Sequence, residues 1–245
     1  MEKEITSIGS LIEILKEDIG NYDEDVWFRG EACFDWKLLP GLYRNNNLSE
    51  EILLTRFKQS ASMLINTNPN NNFDWLFLMQ HYGVQTRLLD WSESALASLY
   101  FSISEDSHAS DDASLWMLKP IELNKLAHID DENKHFIPSF DDDFLKSYDI
   151  QSLKVNPRLK MNPIATIATR NNPRIQAQQG VFTIHHVEKK PLEEYCVINQ
   201  QIFKYRIPKE SKENLKRELA LLSFNRFSLF PELSSIGLLL KDKII

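Results

Sequence analysis

The apolar stretch at residues 73–103 is interrupted by Gln80, His81, Arg87 and Asp90, set among Trp75, Leu78, Leu88, Leu89 and Trp91. Burying an unpaired charge costs several kcal/mol. A fold built on this stretch must therefore give Arg87 and Asp90 partners or open a polar cleft beside them. The alternative to a functional role is an ion pair that fixes the connection from helix to strand. His81, taken alone, fits a satisfied buried imidazole as well as a catalyst.

The rest of the chain can supply such an interior. Its 245 residues are 42% hydrophobic, too apolar for a disordered chain, and they fit one α+β domain over 1–245. No run of 18 apolar residues exists, and the start MEKEITSIGS lacks the apolar core of a secretory signal. Two cysteines, Cys33 and Cys196, cannot make a disulfide scaffold or a thiolate zinc site. These features predict a cytoplasmic protein with no membrane partner.

Charge is uneven. Residues 1–104 sum to −7, 105–150 to −8, and 151–245 to +8. The basic third could attract RNA or an acidic protein, or it could simply face the acidic parts of the same domain. Residues 105–150, with ISEDSHASDDAS and IPSFDDDF, read as a long acidic insertion loop with a short helix near 121–127.

Helical spacing predicts helices over Ser7–Ile19, Ser49–Ile65 and 73–82, the last stopped by Gly83. Further helices are expected over 92–103, near 209–223 and after Pro231. Strands are expected at 26–30, 84–91, 114–119, 180–187 and 196–207. The expected arrangement is a mainly helical N-terminal half, with strands late, around a central mixed or antiparallel sheet.

Arg29 follows the apolar run Val26-Trp27-Phe28, where its guanidinium could emerge at a sheet edge and fork onto a phosphate or carboxylate. Gly30 would let a ligand approach the backbone. Pairing of Arg29 with Glu31 is the structural alternative. A third polar segment, Arg174 to Gln179, carries three glutamines before Gly180. Amides can bind ribose hydroxyls but are poor bases. No Walker loop, dinucleotide glycine turn, HExxH or GxSxG occurs, and the six histidines (81, 108, 128, 135, 185, 186) show no ligand spacing, so no metal site is expected.

Taken together, these segments resemble the FRG-domain family of prokaryotic and phage proteins. Phe28-Arg29-Gly30 matches its defining motif, and Leu38-Leu39-Pro40 with Arg44 its LLP element. Gln80-His81-Tyr82-Gly83 and Thr86-Arg87-Leu88-Leu89-Asp90-Trp91 match its QHxG and TRLLDW blocks, followed by the small-apolar helix Ala95–Phe101. Arg174-Ile175 with Gln178, Gly180 and Phe182, then Leu229 to Leu233, complete a resemblance running from about residue 26 to residue 240.

The resemblance implies a toxin or anti-phage effector, and a distant similarity to ADP-ribosyltransferases in fold and in use of NAD. On that mapping Arg29 and Gly30 hold NAD, Arg87 clamps its pyrophosphate, and Tyr82 or Tyr100 stacks on nicotinamide. Gln178 and Gln179 stand where the transferase pattern has glutamate, so Asp90 or His81 would supply the base. The acceptor would be RNA, favoured by the basic third, or protein, and a cognate antitoxin would cover the cleft. Two other classes remain open. A metal-dependent ribonuclease would use Asp90, Glu31 and His81. A catalytically silent module would bind nucleotide or RNA through Arg29 and Gln178, or a partner through Leu229, Phe230, Leu238 and Leu239.

Overall fold

The computed structural model describes residues 2–44, 48–65, 69–129, 136–168 and 172–244. His135, residues 130–135 of the acidic stretch and the side chain of Leu239 lie outside them.

Helix α1 (Ile8–Ile19) begins where Ser7 and Ser10 cap each other's backbone N–H groups, both at 3.0 Å. Strand β1 (Trp27–Glu31) follows, then the short α2 (Gly41–Arg44), α3 (Glu50–Ala61) and α4 (Asn72–His81). Gly83, at φ +77, turns the chain out of α4 towards β2 (Leu88–Ser92) and α5 (Ala95–Ile103). After these come β3 (Ala113–Leu118), α6 (Pro120–Leu126), α7 (Ile150–Val155) and β4 (Ile164–Thr166). The C-terminal part adds α8 (Pro173–Gln178), β5 (Gly180–Ile184), β6 (Ile202–Ile207), α9 (Lys212–Leu221), α10 (Arg226–Leu229) and α11 (Leu233–Ile244).

The strands form one sheet in the order β4-β5-β2-β1-β3-β6, and every neighbouring pair is antiparallel. The fold is thus α+β with an open six-stranded antiparallel sheet. Strands are spread along the chain, not gathered late. The acidic stretch 105–150 is more than a loop: it supplies β3, an inner strand, and the buried Phe140, Leu145 and Tyr148. Its charges sit between these core positions, which is why composition alone reads as a loop.

Alternation along the strands divides the core. On one face, Leu88, Phe182 and Ile184 pack with α3 and α4, while Phe28, Leu115, Met117 and Tyr205 pack with α1, α5 and α9. Trp27, Leu89, Trp91, Trp116 and Val181 occupy the opposite face. In α3, Leu54 and Ala61 are buried and Leu53 and Phe57 pack against the same core, whereas Ile52 is exposed.

Helix α5 crosses directly over β1 at Gly30. A Cβ there would lie 1.9 Å from the Ser98 carbonyl oxygen and 2.8 Å from the Ser102 nitrogen. Gly30 admits the close approach of a helix, and it also borders the cleft described below.

Some of the charges of the three regions answer one another. Lys154 pairs with Glu51, Arg206 with Glu2 and Asp112, Lys216 with Asp106, and Lys160 with Glu188. These four are a quarter of the sixteen basic residues of 151–245, and Glu188 lies in that same third.

Candidate functional site

β1 and β3 are matched over five residue pairs, but β1 and β2 over one, Phe28↔Ser92. Beyond it the two strands part, and the two helix groups flank the gap. The resulting cleft encloses about 380 Å³, at the lower end of the roughly 300–1,000 Å³ of ligand sites.

Arg29 lies in this gap on an inner strand, not at a sheet edge. Its Nε donates to Glu31 Oε1 at 2.7 Å, and one terminal nitrogen donates to the Asp90 carbonyl at 2.7 Å. The guanidinium thus bridges the parted strands. Glu31 is only 5% exposed and draws its compensating charge from Arg29. Arg29 is at once part of the cleft and part of the frame.

Asp90, one residue from the core positions Leu89 and Trp91, projects from the sheet face and is exposed in the cleft. Its Oδ2 accepts from Gln80 Nε2 at 2.8 Å, and Gln80 Oε1 accepts from the Thr86 hydroxyl at 2.6 Å. His81 lines the same wall, with Nε2 3.3 Å from Asn172 Nδ2. Burial, then the Arg174 guanidinium, hold its imidazole below the ordinary histidine range, so it is neutral.

Four residues assigned from sequence do not play the expected part. Arg87 is 2% exposed and does not line the cleft. Its side chain donates to Glu50 Oε2 at 2.6 Å, to the His185 carbonyl at 3.0 Å and to the Tyr148 carbonyl at 2.8 Å. A guanidinium so fully used cannot clamp a pyrophosphate. Tyr82, 65% exposed, caps α4 outside the cleft, and Tyr100 packs towards α9 beside Phe224. Neither is placed to stack on a ligand there. Gln178 does reach the cleft, but its Nε2 donates to the Leu229 carbonyl at 3.2 Å and its own carbonyl accepts from Ser92 Oγ at 2.6 Å. It holds the C-terminal segment in place and is no base.

In their stead the structure brings Phe101, Trp36, Arg44 and Arg174 to the cleft. Phe101 adjoins Tyr100 on α5, and in a helix that is apolar nearly all round no period marks which aromatic faces the gap. Arg174 sits 4.7 Å over the Phe230 ring, whose edge meets Phe101 at 5.9 Å. Arg29, Arg44 and Arg174 thus bring three guanidinium groups with donors to spare to a cleft with an aromatic wall, an arrangement that can take an anion beside a flat ring.

Among the described residues, no three His, Cys, Asp or Glu side chains come together as metal ligands, so a metal-dependent nuclease centred on Asp90, Glu31 and His81 lacks a cage. Leu229 is fully buried, which removes it from any docking surface.

The model of the FRG domain matches residues 24–111, the span that holds Arg29, Gln80, His81 and Asp90. The Arg174–Phe182 and Leu229–Leu233 blocks lie beyond it. No curated protein and no solved structure matches the chain.

Proposed function

This chain carries an FRG domain, and on that footing we propose that its β1–β2 cleft binds NAD as substrate and transfers the ADP-ribosyl group to a macromolecule. The observation that carries the reading is Asp90. Of the acids along the cleft, Glu31 is buried against Arg29 and Glu105 lies beyond the end of α5, whereas Asp90 offers an exposed carboxylate on the cleft floor, fixed by Gln80.

Arg29 and Arg174 would take the phosphates through charge-assisted hydrogen bonds. Phe101 replaces the two tyrosines as the ring available for nicotinamide. As the bond from ribose to nicotinamide breaks, nicotinamide leaves with the bond's electron pair and becomes neutral, and the anomeric carbon gains positive charge. A carboxylate aimed there stabilises that charge. The acceptor's nucleophile then bonds to the anomeric carbon, and its proton passes to Asp90 and on to water. A toxin of this kind requires a cognate antitoxin, and a protein seated over the cleft would silence it. The acceptor is RNA or protein. The internal pairing of Lys154, Lys160, Arg206 and Lys216 takes part of the charge of the basic third, and RNA stays the favoured acceptor.

The test is incubation of the full chain with labelled NAD and a cell extract, followed by separation of RNA from protein. Label on either fraction, lost with Asp90→Asn, is the expected result. Unconsumed NAD with no label overturns the reading, and degraded RNA without label favours a nuclease. Asp90→Asn is a better control than Arg29→Ala, which would strand Glu31 in the interior.

A further inference from the structure

Two side-chain amides flank the cleft's ionisable groups, and the direction of each can be deduced from its partners. Asp90 Oδ2 belongs to a carboxylate, which offers only acceptors, so the Gln80 NH₂ end faces it at 2.8 Å and the carbonyl end takes the Thr86 hydroxyl hydrogen, while Thr86 Oγ1 accepts from the Leu88 backbone N–H at 3.1 Å. Asn172 is fixed by a backbone donor. The Arg174 backbone N–H donates to Asn172 Oδ1 at 2.8 Å, which leaves Nδ2 to donate to His81 Nε2.

We infer that Gln80 and Asn172 are positioning residues that assign opposite roles to Asp90 and His81. Gln80 occupies Asp90 Oδ2 as an acceptor, so a proton on this carboxyl is confined to Oδ1. Asn172 occupies His81 Nε2 as an acceptor, so His81 is held as the neutral tautomer that carries its hydrogen on Nδ1. The pair therefore divides acid–base work: Asp90 takes the proton, and His81 does not. This assignment rests on the proposed use of Asp90, yet its test needs no substrate.

The neighbouring charges do not supply the same selection. Arg29 and Glu31 on β1 and Arg174 on α8 line the cleft as well, but guanidinium and carboxylate fields act on the whole imidazole or carboxyl. Only a directed donor distinguishes Nε2 from Nδ1, or Oδ2 from Oδ1.

The experiment is NMR of the full chain without ligand. Nitrogen-15 shifts of the His81 ring are read at neutral pH in the unsubstituted chain, Asn172→Ala and Asn172→Asp. The Nδ1–H tautomer is expected in the first, a mixed or Nε2–H signal in the second, and a protonated ring persisting to higher pH in the third. The Gln80 side-chain amide signals are the second readout: Asp90→Ala, which removes the acceptor of the Gln80 NH₂ end, is expected to move them towards the free-amide position, and Thr86→Val, which removes the donor to its carbonyl end, is expected to move them as well.

An Nε2–H ring in the unsubstituted chain, or Gln80 side-chain amide signals unmoved by Asp90→Ala in a folded chain, overturns the assignment. Failure of the ADP-ribosyl reading would show instead as a chain that passes these measurements and yet leaves labelled NAD intact.

Discussion

Gly30→Ala isolates what the glycine of the Phe-Arg-Gly motif is for. The added Cβ would sit 1.9 Å from the Ser98 carbonyl oxygen, and contacts under 3.0 Å are essentially never tolerated, so α5 must retreat from β1 by at least about 1.1 Å. Both nearest atoms are backbone, so no rotamer change relieves the clash. The retreat pulls Leu99 and Ile103 away from Phe28 and Leu115 in a core where all four are at most 4% exposed. A gap of about an ångström forfeits a quarter to a half of each contact's attraction. Overpacking costs about 1–3 kcal/mol in accommodating sites, and this rigid one should cost about 3 kcal/mol or more. Equilibrium urea unfolding followed by far-UV circular dichroism measures it. Two other glycines set the scale. Gly180→Ala meets the Ile175 Cγ2 at 3.3 Å and the Ile175 carbonyl oxygen at an ordinary 3.8 Å, and Gly83→Ala meets nothing but must hold φ +77, so each should cost about 1–2 kcal/mol or less. A Gly30→Ala chain within about 1 kcal/mol of the parent would refute the packing argument and return Gly30 to a ligand-contact role.

Three further outcomes are expected. Glu50→Gln leaves the Arg87 guanidinium buried without its counter-charge and should lower stability by about 3–5 kcal/mol, read as a fall in the urea midpoint; ligand binding in the folded fraction should be unchanged. Arg29→Ala should destabilise by a similar order through Glu31, somewhat reduced because Arg29 is 18% exposed; the double variant Arg29→Met/Glu31→Met should regain most of the loss, and a double-mutant cycle with no coupling would count against the pair. Burial, with Arg87 adding to it, pushes His185 down to about 3 from 6.5. The unfolded chain therefore takes up a proton that the folded chain refuses, so stability is full above about pH 6.5 and falls towards pH 3. His185→Gln should flatten the decline of the urea midpoint over that interval.

The contrast between Arg29 and Arg87 shows where sequence ceases to inform. Each arginine adjoins an apolar strand, and each invites a reading as an anion clamp. Arg29 finds Glu31 two residues away, a pairing that β alternation brings onto one face and that is legible without coordinates. Arg87 is retired from the cleft by Glu50, the Tyr148 carbonyl and the His185 carbonyl, which arrive from three separate parts of the chain. Nothing local to TRLLDW marks them. The capped start of α1 at Ser7 and the glycine stop after α4 were legible because caps act within four residues. β4 was not: three residues are too few to show alternation. α8 was missed for the same reason, its six residues reading as a polar turn before β5.

The extent of the family match has a practical bearing on any attempt to dissect this protein. Residues 24–111 hold β1 and β2 but end just before β3, the partner of β1, and far before β5, the partner of β2. Cut out at those limits, the two strands would share the single pair Phe28↔Ser92 and expose open hydrogen-bonding rows on both flanks, together with Trp27, Leu89 and Trp91. Such rows recruit other chains. The matched span records where the cleft's residues are written, and a fragment confined to it should aggregate rather than fold.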